Sequence, residues 1–189
     1  MKLNYLAAAA SLGLTAVAQP TGSCEAPSKP DTFGVVAIRS GDAVQYAGFN
    51  AALGSIFAGL PSQNATCDGT DSGFATFYIQ DGSLYLYGPN DQQVYVDRSG
   101  MGQGNIGYIA AGQSAPRNGE LTGWAINEDN HLQFDGSDPI ACPNSIDGAY
   151  SIWASAGIDN PAGNSNCVGI AARVEKNAEP TSCSYTTSR

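Results

Sequence analysis

The sequence predicts a single all-β domain, an antiparallel barrel or sandwich of about 11–12 short strands. From residue 33 onward, short apolar or alternating runs rich in Val, Ile, Phe and Tyr are separated by Gly, Asn and Asp, which is typical of strands joined by tight turns. Helical periodicity is nearly absent. A weak internal repeat of about 47 residues indicates that similar multistranded units recur along the chain.

Residues 1–18 are predicted to be a cleaved secretory signal peptide. Lys2 lies at its start, residues 6–17 form a short apolar run, and residues 16–18 provide a small-x-small cleavage site before Gln19. The apolar run has about a dozen residues, whereas a membrane-spanning helix needs about 20. No later segment is apolar enough to span a membrane. We therefore expect a secreted protein, extracellular or in a cell wall, with no membrane partner.

Residues 19–32 are rich in Pro and Ser without periodicity, so we expect an extended lead-in to a single β domain at residues 33–189. Eleven candidate strands follow, at Phe33–Arg39, Val44–Phe49, Ser55–Ala58, Phe74–Gln80, Leu84–Tyr87, Val94–Asp97, Ile106–Ala110, Gly123–Asn127, His131–Phe134, Ala149–Ala154 and Cys167–Val174. Only Ala51–Leu60 hints at a helix, and its two glycines, Gly54 and Gly59, disfavour one.

The internal repeat has two clear copies. Asp81-Gly82 between two apolar runs predicts a tight hairpin, because such a turn needs positive φ. Residues 77–84, which contain it, resemble residues 124–132, and two further pairs of segments follow at offsets of 45–48 residues. A fainter third copy begins near Ile38. Three units of about four strands would make a β-trefoil-like barrel with pseudo-threefold symmetry.

Five cysteines lie after the predicted signal peptide, and in an oxidising compartment we expect them to form disulfides, with one left over. Cys142 and Cys167 flank the predicted strand Ala149–Ala154. A hairpin return there would bring the two within disulfide reach.

The other bridge is open to two interpretations. If Phe33 pairs with Val174 in antiparallel strands, their residue numbers sum to 207, as do those of Cys24 and Cys183. A Cys24–Cys183 bridge would then join both ends of the domain and leave Cys67 free. The competing arrangement pairs Cys24 with Cys67 and leaves Cys183 free.

Charge and composition exclude several classes of partner. The formal net charge is −9, and the few basic residues are scattered, so neither nucleic acid nor an anionic membrane is an expected partner. One His and no CxxC pair argue against a zinc site, and no cofactor is predicted. Asn64-Ala65-Thr66 is an N-glycosylation sequon in a turn-rich stretch, which predicts a glycan on Asn64. The sequence leaves the oligomeric state open.

No catalytic or metal-binding residues are predicted. The single His131 alternates with apolar neighbours and is interpreted as the outward face of a strand. Asp68, Asp71, Asp135 and Asp138 stand among turn residues, where Asp is favoured for turn geometry alone. A hydrolase with two carboxylates would show no local motif, and it is kept as a third hypothesis.

Tyr85 and Tyr87 are candidate ligand-contact residues. They share one face of a predicted strand while Leu84 and Leu86 share the other, and leucines are the better core residues. Exposed tyrosines beside Asn and Gln suit contact with carbohydrate or protein. The alternative is ordinary cross-strand packing of tyrosines.

Several segments resemble the secreted fungal PhiA-type cell-wall proteins over roughly residues 33–174. They are Phe33 to Gly41, Gln92 to Gly100, Gly107 to Ile109 with Ala115-Pro116, Leu132 to Phe134, Ala141 to Pro143, Tyr150 to Ala154 and Asn166 to Gly169. The Ala-Cys-Pro and Cys-Val-Gly elements recur in the expected order and spacing.

This resemblance implies a non-catalytic, secreted, wall-associated protein of filamentous fungi, linked to conidium-forming cells. Related sequences occur among plant hypersensitive-response elicitors and IgE-binding proteins. We therefore expect a non-catalytic cell-wall protein of the conidium or phialide type. The alternative is a lectin-like carbohydrate-binding module, or a secreted effector recognised by a plant host. The expected partners are accordingly a wall polysaccharide or other glycan, or a host protein.

Overall fold

The structure, a computed structural model, describes residues 31–187, and within them the all-β prediction is confirmed. The strands are β1 (Thr32–Ile38), β2 (Phe49–Ala52), β3 (Ser55–Ala58), β4 (Thr66–Cys67), β5 (Phe77–Gln80), β6 (Ser83–Leu86), β7 (Gln92–Asp97), β8 (Asn105–Ile109), β9 (Trp124–Ile126), β10 (Leu132–Phe134), β11 (Ile140–Cys142), β12 (Tyr150–Trp153), β13 (Val168–Gly169), β14 (Ala171–Lys176) and β15 (Cys183–Ser184). Single 3-10 turns lie at Ile146–Gly148 and Pro161–Gly163.

The N-terminal predictions fall mostly on residues outside this range. The signal peptide at residues 1–18, Cys24 and nearly all of the lead-in at residues 19–32 lie there, while Thr32 already belongs to β1. Between residues 31 and 187, no helix is long and apolar enough to cross a membrane.

One large antiparallel sheet contains eleven of the strands, in the order β13-β11-β12-β3-β8-β7-β6-β5-β1-β14, with β2 beside β3. The pairs β9–β10 and β4–β15 form two small separate sheets. The first and last strands of the large sheet, β13 and β14, are separated in the chain by Ile170 alone. The sheet must therefore curl until its two edges meet around that residue.

Six strands follow one another in a ring, β1-β5-β6-β9-β10-β14 and back to β1. Four neighbouring pairs are joined by ladders. The other two junctions are single bridges, Ser83 with Thr122 beside β9 and His131 with Arg173 in β14. Because ladders do not run the whole way round, the ring is not a closed barrel.

Three hairpins, β2–β3, β7–β8 and β11–β12, pair with one another through β3, β8 and β12. Together with the ring they make three units of four strands, a trefoil-like arrangement. The repeat explains it: residues 77–84 form β5–β6, and residues 124–132 span β9 and the start of β10. In each copy the next hairpin follows, β7–β8 or β11–β12.

The core lies inside the ring and beneath the hairpins. Alternating residues of β1 and β7 point inward, as the buried Phe33, Val35 and Ala37 show. Phe77, Leu84 and other apolar side chains from every unit join them in one cluster. Burying each large side chain contributes roughly 1.5–3 kcal/mol, so all three units share the driving force for folding.

One predicted strand, Val44–Phe49, is wrong. Residues 40–46 form turns, and β2 begins only at Phe49. The Asp42 carboxylate accepts a hydrogen bond from the Val44 backbone N–H at 3.0 Å, a local bond that favours a turn over a strand. Ala51–Leu60, with its weak helical hint, forms the β2–β3 hairpin.

Other strand boundaries shift. The predicted strand Cys167–Val174 is divided at Ile170 into β13 and β14, since its two halves pair with different strands. The strands β4, β11 and β15 were not predicted, and each has only two or three residues. The first and last long strands do pair, but Phe33 lies opposite Lys176 instead of Val174. This two-residue shift keeps the same side chains on the same face.

The disulfides differ from the prediction at one bridge. Cys142 is bonded to Cys167, the pair that flanks β12. Cys183 is bonded to Cys67 in the β4–β15 pair. The predicted Cys24–Cys183 bridge is therefore wrong, and so is the competing Cys24–Cys67 bridge. The residue-number sum of 207 does not predict this bridge, because the chain turns away from β14 before Cys183 and does not continue in the β1–β14 register.

Candidate functional site

The tyrosines proposed for ligand contact lie on the outer face of the sheet. Tyr85 is half-buried and stacks on the ring of Tyr78 across the β5–β6 ladder, with ring centroids 5.1 Å apart and planes 13° apart. Tyr87 is half-buried too, and its backbone bonds to Thr76 and Cys183. Cross-strand packing thus accounts for Tyr85, and a ligand role for either tyrosine stays a prediction.

A better candidate is a groove of about 310 Å³ on the outer side of β1. Two aromatic side chains at the groove are exposed, Tyr46 at 69% and Phe74 at 53%. We call it the Tyr46–Phe74 groove. Its lining residues are Gly34, Val35, Val36, Tyr46, Gly48, Ser72, Phe74, Ala75, Thr76, Glu175, Lys176 and Asn177.

Tyr46 is presented by the turn that follows β1. The buried Val44 anchors this turn in the core, and the Tyr46 N–H donates to the Ala37 carbonyl at 2.9 Å. Tyr46 itself has φ = +67°, a conformation that L-residues other than Asn, Asp and Gly adopt at a cost. Its ring therefore points to solvent from a backbone that is held by other residues.

Phe74 is presented by the loop before β5. Its ring lies directly on the backbone of Gly48, where a Cβ would come within 2.3 Å of the ring carbon Cδ1. Only glycine leaves room for this contact. The next residue, Ala75, donates its N–H to the Phe49 carbonyl at 2.8 Å. One side of the ring is thus supported while about half of the residue stays exposed.

Two fully buried amides hold the Phe74 loop from below. The Asn50 side chain donates to the Gly73 carbonyl and accepts from the Leu60 N–H at 2.9 Å. The Gln63 side chain donates to the Asp71 carboxylate at 2.8 Å and to the Phe74 carbonyl at 3.2 Å. Buried polar groups need such partners, so these amides fix the loop before any ligand arrives.

Hydroxyl, amide and charged groups also line the groove. The Asn177 side chain donates a hydrogen bond to the Thr76 hydroxyl at 3.4 Å. The Asn177 carbonyl accepts from the Thr32 hydroxyl, and the Asn177 backbone N–H donates to the Thr32 carbonyl. The charges are already paired: Lys176 with Asp31 at 3.4 Å, and Glu175 with Arg173 at 2.6 Å. The groove therefore combines aromatic faces with neutral hydrogen-bonding groups.

A charged cluster lies elsewhere, beside the ring core. The Arg98 guanidinium bonds to the carboxylates of Glu120 and Asp135 and lies 4.9 Å above the centre of the Phe134 ring. The hydrogen bond from Arg98 holds the pKa of Glu120 below its usual range, against a smaller opposing effect of burial. An ionised, paired carboxylate is poorly suited to donate a proton, so this cluster favours a structural role.

Residues 183–186, near the end of the described part of the chain, form what we call the C-terminal clamp. Gln92, fully enclosed, exchanges two hydrogen bonds with the backbone of Tyr185, at 2.7 and 2.8 Å. The Tyr108 hydroxyl donates to the Thr186 carbonyl, which also accepts from the Gly54 N–H at 2.8 Å. With the Cys67–Cys183 bridge, this segment ties the ring to two of the hairpins.

No group of three or more His, Cys, Asp or Glu side chains in residues 31–187 is placed to hold a metal ion. His131 lies half-buried at the junction with Arg173.

The groove was not predicted from the sequence, because Tyr46 and Phe74 fall inside predicted strands. One signal was available. Phe74 follows the run Asp-Gly-Thr-Asp-Ser-Gly. Such a turn-rich run favours a loop over a regular strand at the aromatic residue that follows it.

Comparisons with known proteins agree on one family. The family model for PhiA-like secreted protein matches residues 33–186. A protein named cell wall protein phiA from Emericella nidulans is 70% identical, over 98% of this chain and 99% of the relative. Proteins of the same name from Aspergillus fumigatus and Aspergillus niger are 61% and 56% identical, over 98% of this chain and 99–100% of theirs. No solved structure matches the chain.

The family match covers nearly all of the ring, and all of the hairpins, the groove and the C-terminal clamp. The relatives align along almost their whole length. The resemblance found in the sequence is therefore confirmed: this secreted, cell-wall-associated chain belongs to the PhiA-like secreted protein family.

Proposed function

We propose that this protein is a non-catalytic component of the fungal wall, in conidium-forming cells, and that it acts by persisting there and contacting wall polymer. The C-terminal clamp carries the proposal. Residues 183–186 are held against the core by Gln92, Tyr108 and the Cys67–Cys183 bridge. A protein exposed to extracellular proteases gains from such closure, because proteolysis acts on locally open states.

The conidium-forming setting rests on the family resemblance, and the wall contact is supported by the exposed aromatic groove. The non-catalytic role is supported by the Arg98 cluster. Its carboxylates are held by an arginine, which lowers the pKa of Glu120 instead of raising it as a general acid requires.

The test uses the protein secreted by a fungal host and isolated hyphal and conidial walls. We expect it to sediment with the walls and to stay there after washing in high salt, without releasing reducing sugar. Full recovery in the supernatant would contradict wall association, and steady release of reducing sugar would contradict the non-catalytic role. A sample reduced under native conditions and alkylated should be digested faster by an added protease.

We also propose that residues 1–18 are removed on secretion and that Asn64 carries a glycan. Asn64 is exposed in the loop before β4, with φ = +50°. Mass spectrometry of the secreted protein should find Gln19 as the first residue. The Asn64→Gln variant should lose a discrete glycan mass, whereas an unchanged mass would contradict modification.

A lectin-like role is a second candidate, favoured by one observation, the Tyr46–Phe74 groove. Its exposed rings and neutral polar groups are the elements of a carbohydrate site. The elicitor hypothesis has no comparable feature in residues 31–187 and stays a prediction.

A further inference from the structure

We infer that the Tyr46–Phe74 groove binds a single neutral pyranose unit of a polysaccharide, with the Phe74 ring against the apolar face of the sugar. This inference deepens the proposed wall contact and rests on it. It goes further by naming the ligand class, the stacking residue and the polar partners.

Phe74 stays about half exposed at the rim of the groove. Leaving a phenylalanine half exposed forgoes part of the roughly 1.5–3 kcal/mol that its burial would supply. Nevertheless the surrounding chain is built to hold it in place. Gly48 supports one side of the ring, and the buried Asn50 and Gln63 fix its loop. A braced, solvent-facing aromatic ring is a preformed contact surface.

The groove matches the shape and chemistry of a sugar ring. A pyranose has a face of C–H groups and an edge of hydroxyls. The groove offers two exposed aromatic rings and is also lined by Thr76 and Asn177, whose side chains are hydrogen-bonded to each other. Its volume of about 310 Å³ is at the lower end of the range for small-ligand sites. It therefore suits one sugar ring better than a broad protein surface.

The charge of the chain and of the groove argues against an anionic ligand. The chain carries a net charge of −9, so an anionic polymer is repelled at long range. Lys176, the one cation that lines the groove, is paired with Asp31, and Glu175 is paired with Arg173. Because the carboxylates of Glu175 and Asp31 lie beside Lys176, the lining residues carry no net positive charge that would attract a phosphate, sulfate or uronate group. The groove thus favours an uncharged sugar.

Gly34 provides a way to block the groove without disturbing the fold. It lies in β1, lines the groove, and a Cβ added there would meet nothing within 4 Å. Valine suits a strand, so Gly34→Val should project into the groove and leave β1 intact. Gly169 in β13 is a matched control, since a Cβ there also meets nothing within 4 Å and it lies outside the groove.

The experiment measures binding of uncharged hexasaccharides of glucose, mannose and N-acetylglucosamine to the full secreted protein by titration calorimetry, with a hexa-uronate as the anionic comparison. We expect at least one neutral hexasaccharide to bind and the hexa-uronate not to. Phe74→Ala and Gly34→Val should each weaken binding at least about tenfold. Gly169→Val should change it less than about twofold.

The melting temperature of each variant shows whether it is folded. If Phe74→Ala unfolds, Gly34→Val decides alone. The inference is overturned if no neutral hexasaccharide binds, if the hexa-uronate binds as tightly, or if Gly34→Val binds like the wild type. Wall retention of the wild-type protein without binding of any neutral hexasaccharide would leave the proposed function standing while this inference fails. Conversely, hexasaccharide binding without wall retention would remove the proposed function and keep the site.

Discussion

At the scale of single residues, the buried amides matter more to the structure than Tyr85 and Tyr87, the tyrosines that the sequence predicts as ligand contacts. Asn50 is fully buried and satisfies two backbone groups, the Leu60 N–H and the Gly73 carbonyl. A polar residue between Phe49 and Ala51 in a hydrophobic strand reveals its importance only when its partners are known. Those partners lie 10 and 23 residues away.

Asn50→Leu should lower the free energy of unfolding by about 2–4 kcal/mol, because each buried backbone group left without a partner costs about 1–3 kcal/mol. Urea denaturation followed by tryptophan fluorescence measures the change. The matched control is Asn118→Leu at an exposed turn, which should stay within about 0.5 kcal/mol of wild type. Equal effects at both positions would show that Asn50 does not brace the loop.

The Arg98 cluster predicts a pH dependence with a definite sign. Because Arg98 lowers the folded-state pKa of Glu120 from its ordinary 4.5, their pairing stabilises the fold above that pH, and the benefit is lost as pH falls through the folded-state pKa. Arg98→Met should cost about 1 kcal/mol at pH 7. The difference from wild type should shrink below pH 4.

Urea denaturation at pH 7 and at pH 3 tests this, with Arg117→Met at an exposed turn as the control. A loss for Arg98→Met that is the same at both pH values would assign the effect to packing against Phe134 and not to the ion pair.

At the scale of elements, the sequence predicts what is local and repeated. The Asp81-Gly82 turn lies in the β5–β6 hairpin, with both residues at positive φ, 51° and 75°. The turn at residues 40–46 could not be predicted in this way. It is built around the buried Val44, and its sequence shows the same alternation of apolar residues as a strand. Strands of two residues, such as β4 and β15, carry no periodicity that a sequence could show.

The two disulfides should differ in worth because they close loops of different length. Their sequence separations are 116 residues for Cys67–Cys183 and 25 for Cys142–Cys167. The chain-entropy model gives about 4.8 and about 3.5 kcal/mol at 25 °C. The double variant Cys67→Ser/Cys183→Ser should therefore lose about 1 kcal/mol more stability than Cys142→Ser/Cys167→Ser.

Guanidinium denaturation of both double variants, made in the same host, measures this difference. A larger loss in the Cys142→Ser/Cys167→Ser protein would contradict the loop-length argument and would place the greater constraint in the β11–β12 hairpin.

At the scale of the whole molecule, several tyrosines are kept neutral by the fold. Burial, helped by the Asp91 carboxylate that its hydroxyl contacts, raises the pKa of Tyr78 to about 12. Burial also raises the pKa values of Tyr108, Tyr150 and Tyr185. In the unfolded chain these groups ionise near pH 10, so stability holds below pH 10 and falls as pH rises toward 12.

Circular dichroism in moderate urea should show this loss between pH 10 and 12, together with an increase in phenolate absorbance that accompanies unfolding. Tyr78→Phe should make the loss of stability with pH less steep, since phenylalanine cannot ionise. A decline of unchanged steepness in Tyr78→Phe would assign the alkaline sensitivity to the other tyrosines.

The overall architecture was predictable to the extent that it is repeated. Two copies in the sequence give two units of the trefoil-like arrangement, and the third, containing β1, β2, β3 and β14, is too diverged to be read from residue identities. The groove belongs to that diverged unit. Its walls come from residues 34–36, Tyr46, Gly48, the loop at 72–76 and residues 175–177. The pairing of β1 with β14 and the hydrogen bonds from the Phe74 loop to β2 bring them together.

The Cys67–Cys183 bond has one more consequence, for the fate of a damaged molecule. It closes a covalent circle through most of the ring and two of the three hairpins. A single peptide bond cut at any surface loop within that circle leaves both pieces attached, held in register by the strands on either side. A nicked molecule would therefore migrate as one species until reduced, and it could remain in place in the wall after its backbone had been broken.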